Sequence, residues 1–431
     1  MIYTLLRYLY SSLFLLAMPV VVAKKLFRGR QNKAYRTRWA ERFGYVKLTL
    51  SESIWVHCVS VGESISVAPL VKKLARNYPN KPFVITTMTP TGSAQVKRLY
   101  QEEANIFHSF VPYDVPLFLT RFLKRVNPKL CIIMETELWP NLIACCEQKG
   151  IPVIVTNARL SQKSAAGYHR ISFITRAILR QIDFINAQSK TDAERFIALS
   201  CDPKKIAVTG NLKYDFNVDG KSLQAAQKLK EAFGKRPIWI AASTHPKEDE
   251  IILAAHEKIQ ARHQDALLIL VPRHPERFEQ VYTLIQQHGF RSERHSCANA
   301  EGLKGIDVYL GDSMGEMMLF YAICDIAFVG GSFSGTGGHN MLEPAALAKP
   351  ILSGPSVFNF AEVARRLCES GALFIVADEK ELTDKVIEFI EQPEFREASG
   401  ARALACFKHN QGALDKQYRQ IEKYLHACEM D

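Results

Sequence analysis

Ser60-Val61-Gly62-Glu63-Ser64 follows directly on the apolar run 54–59. A glycine one residue before an acid at such a junction lets the backbone turn tightly and sets the carboxylate at the mouth of a cleft, near a helix start. A carboxylate there can take a proton from an attacking hydroxyl. It can equally be a helix-capping acid held by the helix dipole, and position alone leaves both readings open. Met134-Glu135-Thr136-Glu137-Leu138-Trp139-Pro140-Asn141 also ends an apolar run. Two acids two residues apart before Trp-Pro make a rigid acidic corner that core packing does not ask for, against the plainer alternative of surface acids beside a turn.

A third set is cationic and polar. Gly210-Asn211-Leu212-Lys213 follows 206–208, Ser243-Thr244-His245 follows 238–242, and Pro272-Arg273-His274-Pro275-Glu276-Arg277 follows 267–271. Lys and Arg with Ser, Thr and backbone amides at helix starts suit a phosphate. One arginine alone would read as a surface ion pair; three such motifs in phase point to a common site. The fourth set, from Gly330-Gly331-Ser332 through Gly337-Gly338-His339-Asn340-Met341-Leu342-Glu343-Pro344, follows 326–329. Its glycines let a ligand approach the backbone, and Glu343 lies three residues beyond Asn340 on one helical face, where a carboxylate can accept both hydroxyls of a ribose. The loop lacks the Walker lysine and the Rossmann spacing, so the Asn-x-x-Glu pair carries the specificity for a nucleotide sugar.

These motifs must be held by strands. From Ser53 onward, short β-branched runs alternate with longer amphipathic stretches, the pattern of parallel α/β units. Strands are expected at 54–59, 83–87, 130–134, 151–156, 184–187 and 206–208, then at 238–242, 267–271, 308–310, 326–329, 351–352 and 373–376. The polar, turn-rich stretch 215–220 reads as a hinge. The chain of 431 residues is long enough for two domains of roughly 200 residues each. The expected organisation is an apolar anchor over 1–23, a Rossmann-like domain over 24–214, a linker over 215–235 and a second Rossmann-like domain over 236–431. Two such domains would face each other across a cleft, with a final helix over 411–427 packing back across the hinge.

The formal net charge of +11 calls for anionic partners. Between positions 24 and 42 lie eight Lys or Arg residues against the single acid Glu41, directly after the 16-residue apolar segment 8–23. That segment is borderline for crossing a bilayer, which takes ~20 apolar residues, and ample for lying in its interface. It fits a signal peptide poorly, since Met18-Pro19, valines and Lys24-Lys25 stand where a small-residue cleavage site would. The basic cluster beside it favours anionic lipid and places the following domains on the cytoplasmic face of the inner membrane. Nucleic acid is disfavoured, because the charge concentrates beside an apolar segment and no DNA- or RNA-binding module appears. Ten cysteines without metal-ligand spacing read as reduced thiols.

The motifs SVGES, TMTPTGS (87–93), METELWPN, NARLS (157–161), TGNLKYD, VPRHPERF, GDSMGE (311–316) and GGHNMLEP, in this order, closely resemble the bacterial 3-deoxy-D-manno-octulosonic acid (Kdo) transferases, over nearly the whole chain. The resemblance implies the two-Rossmann glycosyltransferase B fold, CMP-Kdo as donor and lipid IVA, the lipid A precursor of lipopolysaccharide, as acceptor. It implies Glu63 as general base, with Glu135 and Lys213 assisting the transition state. CMP would be held by Pro272 and Arg273, by Met314, Gly315 and Glu316, and by Asn340, Met341, Leu342 and Glu343, with Ser243 and Thr244 nearby. No cofactor is implied, and no metal: the leaving group is a monophosphate, and no Asp-x-Asp pair is needed. Attack opposite the leaving CMP would invert the anomeric centre. Ser332 to Thr336 and the Ser356-Val357 pair depart from the common pattern without touching these residues. A related enzyme using a UDP sugar is the competing reading.

Overall fold

The computed structural model describes residues 2–31, 33–216, 218, 220–298 and 300–430. Its described residues divide into two compact units: the first takes the chain up to Asp215 together with 411–431, the second takes 216–410. Each unit is built on one seven-stranded sheet.

In the first unit the strands are β1 (Ser53–His57), β2 (Phe83–Thr87), β3 (Ile106–Phe110), β4 (Pro128–Met134), β5 (Val153–Ala158), β6 (Phe184–Ala187) and β7 (Ile206–Val208). Their order is β3-β2-β1-β4-β5-β6-β7, every pairing parallel. A parallel sheet needs crossover helices, which cover both its faces, so β1 is buried at every position. Alternation still decides which layer each residue enters. Trp55, Cys131, Ile133 and Val155 join one apolar layer, and Ile54, Val56, Ile132 and Ile154 join the other.

The second unit repeats the plan with β8 (Ile238–Thr244), β9 (Leu267–Pro272), β10 (Ser292–Arg294), β11 (Val308–Leu310), β12 (Ile326–Val329), β13 (Ile351–Ser353) and β14 (Leu373–Ile375). The order is β10-β11-β9-β8-β12-β13-β14, again all parallel. In the first sheet the chain winds outward through β2 and β3 and then returns to the other side of β1; in the second it passes from β9 to the edge strand β10, inserts β11 between β10 and β9, and then crosses to the other side of β8. The switch points therefore fall between β1 and β4 and between β8 and β12, where open α/β sheets leave a crevice beyond the carboxyl ends.

The structure corrects several boundaries. β1 stops at His57, two residues before the expected end, and β5 starts at Val153 and runs on to Ala158. β3 and β10, both edge strands, were not expected from the pattern. Most of the expected 215–235 linker is the helix Gly220–Phe233, with Ala226 and Phe233 in the core of the second unit. Within the proposed hinge, Asn217 and Asp219 lie outside the described residues. The expected break between 23 and 24 is absent, because one helix runs over Ile2–Gln31 with Pro19 inside it. Residues 2–27 of it, which include an 18-residue stretch of mean hydropathy 1.8, are long and apolar enough to cross a membrane.

The helix Ala413–Met430 belongs to the first unit, where Ala413, Tyr418, Ile421 and Leu425 complete one apolar layer. Asp215 fixes its start: the carboxylate accepts the backbone N–H of Gly412 at 2.6 Å and of Leu414 at 2.7 Å.

Candidate active site

In the first unit the acids gather at the β1/β4 switch point. Ser60 caps the helix Val61–Asn77, its hydroxyl accepting the Glu63 N–H at 3.2 Å while the Glu63 carboxylate accepts the Ser60 N–H at 3.1 Å. The other carboxylate oxygen takes the Val59 N–H at 2.8 Å. Glu63 is thus the acid of a capping box, the structural alternative left open by its position, and it is also a buried carboxyl facing other carboxylates. Burial, reinforced by Glu135 and Glu137, outweighs these hydrogen bonds and pushes Glu63 up to about 7. A carboxyl so tuned suits proton transfer near neutrality, so capping and base chemistry are compatible in one residue.

Glu135 stands at the end of β4 in left-handed backbone (φ 53°), its N–H donating to Thr156 O at 3.0 Å. Such a conformation is uncommon for a residue with a side chain and is held here by the neighbouring strand. Two residues on, Glu137 accepts the Trp139 indole N–H at 2.8 Å, and burial raises it as well. Lys213 lies in the short turn Leu212–Tyr214 after β7. The turn is tied to β5 by Asn157, whose side-chain oxygen accepts the Leu212 N–H at 3.0 Å. Glu63, Glu135 and Lys213 therefore all follow carboxyl ends of strands in one sheet.

In the second unit the donor-side residues surround the β8/β12 switch point. Gly330 is required there, since a Cβ would come within 2.9 Å of the Ser243 carbonyl, and Gly331 has φ 71°. The loop that begins with them is wrapped around a buried acid. Glu248, fully buried, accepts backbone N–H bonds from His245 (2.8 Å), Gly331 (2.7 Å), Ser332 (2.9 Å), Phe333 (2.8 Å) and Ser334 (3.4 Å). His245 and His339 stack with their Nε2 atoms 2.8 Å apart, so one ring donates to the other, and His274 packs edge-on against His245. Burial first, then Arg273 and the other two histidines, lowers His339 to about 4.

Arg273 is exposed, its N–H donating to Thr244 O at 3.0 Å, and its charge bears on both His339 and Glu343. Burial raises Glu343 while Asn340, donating to it at 3.1 Å, and Arg273 pull the other way. Arg273, Asn340 and Glu343 thus come together with His339. Several other expected residues are committed elsewhere. The Thr244 hydroxyl donates to Asp249 at 2.6 Å, Met341 and Leu342 bury their side chains completely, and Glu316 pairs with His295 at 3.1 Å. Met314 is exposed beside Gly315 (φ 91°), Ser243 is half-buried in left-handed backbone (φ 59°), and Pro272 closes β9.

Residues 37–216 match the family described as 3-deoxy-D-manno-octulosonic-acid transferase (kdotransferase). The chain is 40% identical over 424 residues to the 3-deoxy-D-manno-octulosonic acid transferase of Haemophilus influenzae, covering 97% of this chain and 99% of that protein. The chain belongs to the Kdo transferase family. It is a glycosyltransferase, and residues 235–404 of this Kdo transferase also match glycosyl transferases group 1. A second relative, the 3-deoxy-D-manno-octulosonic acid transferase of Bordetella pertussis, is 33% identical, covering 87% of this chain and 88% of its own. The solved UDP-GlcNAc 2-epimerase of Neisseria meningitidis superposes with a TM-score of 0.56 at 15% identity, over 88% of this chain and all of that one; this likeness shows the fold alone.

Reading the motifs of this Kdo transferase missed Glu248. It sits in the first turn of the helix Glu248–Arg262 beside Asp249 and Glu250, where acids are ordinary partners of the helix dipole. Nothing local marks it as the anion around which a loop more than 80 residues later folds.

Proposed function

We propose that this Kdo transferase moves Kdo from CMP-Kdo onto a hydroxyl of lipid IVA, in lipopolysaccharide synthesis at the cytoplasmic face of the inner membrane. The bond from the acceptor oxygen to the anomeric carbon forms as the bond from that carbon to the CMP phosphate oxygen breaks. The acceptor proton passes to Glu63, CMP leaves with the electron pair, and attack opposite CMP inverts the centre. Glu135 and Lys213, on the same strand-end edge as Glu63, assist the transition state. Arg273 meets the phosphate and Glu343 takes the ribose hydroxyls, with Asn340 orienting Glu343. Balancing a monophosphate with these cations leaves no step that calls for a divalent metal.

The observation that supports this reading above others is the buried Glu63 carboxyl at the β1/β4 switch point, raised to about 7 beside two further carboxylates. Mass spectrometry of the product from CMP-Kdo and lipid IVA, with and without a chelator, tests it. Added mass of one or more Kdo residues, unchanged by chelation, is expected; no product, or product only with metal, would overturn the corresponding part. Competition by CMP but not UDP distinguishes the donor from a UDP sugar.

A further inference from the structure

Tyr3, Arg7, Ser11, Phe14, Met18 and Val22 recur every three or four residues along the N-terminal helix, and this stripe faces the first unit over nearly the whole apolar length. Tyr3 packs against one core layer of that unit. Arg7 and Ser11 are buried, and Asn141 donates to the Ser11 hydroxyl at 3.0 Å. Met18 joins Tyr113, Val115 and Phe118 in an apolar cluster against which Phe14 and Val22 also pack, and the Lys25 ammonium lies 4.9 Å over the Tyr113 ring.

Among the described residues, the opposite face has no protein partner of this kind. Leu5 is 69% exposed, Leu16 77% and Val20 70%, with Leu9, Leu13 and Phe27 exposed along the same helix. At its carboxyl end Lys24, Arg30, Lys33 and Arg36 are exposed, and no acid precedes Glu41 in the sequence. Arg38 and Arg42, counted with this basic cluster on sequence, serve the fold instead. Arg38 pairs with Glu41 at 2.7 Å, and Arg42 is buried over the Phe110 ring at 4.2 Å.

A helix cannot cross a bilayer and remain docked along its length on a water-soluble unit. Crossing would strip Arg7 and Ser11 of their burial, break the Asn141–Ser11 hydrogen bond, place Arg7 in hydrocarbon, and uncover Tyr113, Val115 and Phe118. We infer that the helix Ile2–Gln31 lies in the plane of the membrane, one face docked on the first unit and the other sunk into a single leaflet, with Lys24, Arg30, Lys33 and Arg36 on anionic headgroups. Amphipathic helices bind lipid in this way by combining apolar immersion with charge attraction. The inference deepens the membrane-bound reading proposed above and rests on it.

The test uses the full-length enzyme with a protease-cleavable tag before Met1, in membrane vesicles of both orientations. Cleavage in the orientation that also exposes the catalytic units is expected. Cleavage only in the opposite orientation would overturn the in-plane helix while leaving membrane binding intact. Flotation separates the two readings further. The purified enzyme should float with phosphatidylethanolamine–phosphatidylglycerol vesicles, and the double change Leu9→Glu, Leu16→Glu should lower that partitioning at least about ten-fold with thermal melting unchanged. Changing Lys24, Arg30, Lys33 and Arg36 to Gln should cost about ten-fold or more on these vesicles and little on phosphatidylcholine alone. Failure of the unaltered enzyme to bind any vesicle would overturn the membrane reading itself. If the unaltered enzyme instead forms a dimer that the leucine changes dissociate, the face belongs to a second copy and the inference falls.

Discussion

Glu63→Gln can keep the capping bond from the Ser60 N–H through its one side-chain oxygen, but it turns an amide N–H toward the Val59 N–H and removes the ability to take a proton. Turnover should fall ~10²–10⁴-fold while calorimetric CMP affinity stays unchanged; near-normal turnover would pass the base role to Glu135. In the parent enzyme kcat/KM should rise with pH through about 7, the value to which burial pushes Glu63, and that limb should vanish in the variant. The stability effect has the opposite sign. A carboxyl raised in the fold from 4.5 contributes stability that is complete below that value and lost as pH rises through about 7, so the difference in melting temperature between Glu63→Gln and the parent should move in favour of the variant as pH rises through about 7. Glu248 makes a second residue-scale case. Glu248→Gln leaves one acceptor oxygen and turns an N–H group toward N–H donors, and hydrogen bonds to a charged group are worth ~1.5–3 kcal/mol each. A clear drop in melting temperature together with at least about ten-fold weaker CMP binding is expected by calorimetry; unchanged binding would detach the loop from the donor site. Glu63 was legible because it follows an apolar run with a glycine beside it. Glu248 was not, because its meaning comes from five backbone groups, four of them contributed by a distant loop.

Strands were legible where both faces are apolar, as at β2, β6, β7, β11 and β12, whose ends match the expected ones. β3 and β10 were not, since Ile-Phe-His-Ser-Phe and Ser-Glu-Arg carry polar residues whose partners lie elsewhere: Arg38 contacts His108 at 3.0 Å, and Arg294 pairs with Asp312 at 2.9 Å. An edge strand pairs on one side only and needs no continuous apolar run. The N-terminal helix shows the same limit. Its apolar stretch was plain, but the stripe of Tyr3, Arg7 and Ser11 is recognisable only from the surface that covers it. The final helix was expected from its apolar spacing, and its energetic weight can be measured. Ile421 is completely buried, so Ile421→Ala should cost about 2–5 kcal/mol by denaturant unfolding, with CMP affinity little changed because the residue lies in the first unit. A loss well under 1 kcal/mol would mean that the layer closes without this helix.

On the scale of the whole molecule, the second unit is one unbroken stretch of chain with two apolar layers of its own, whereas the first is assembled from two separated stretches. Residues 216–410 expressed alone should therefore fold cooperatively and bind CMP within about two-fold of the full enzyme, as judged by thermal melting and calorimetry. Residues 1–215 alone should aggregate, and joining 411–431 to them through a flexible linker should restore a soluble unit; a soluble, cooperative 1–215 fragment would contradict this. The interrupted layout also sets an order of events during translation. All seven strands of the first sheet are made before the second unit, yet Ala413, Tyr418, Ile421 and Leu425 are made only after it. Until then Val71, Leu74, Ile132 and their neighbours wait with part of their covering unsynthesised, while the second unit can finish. The unit whose strands are made first is thus the unit that matures second. A nonsense codon at position 411 would spare every proposed catalytic and donor-binding side chain and still strand the nascent protein in a form fit for chaperones or proteases.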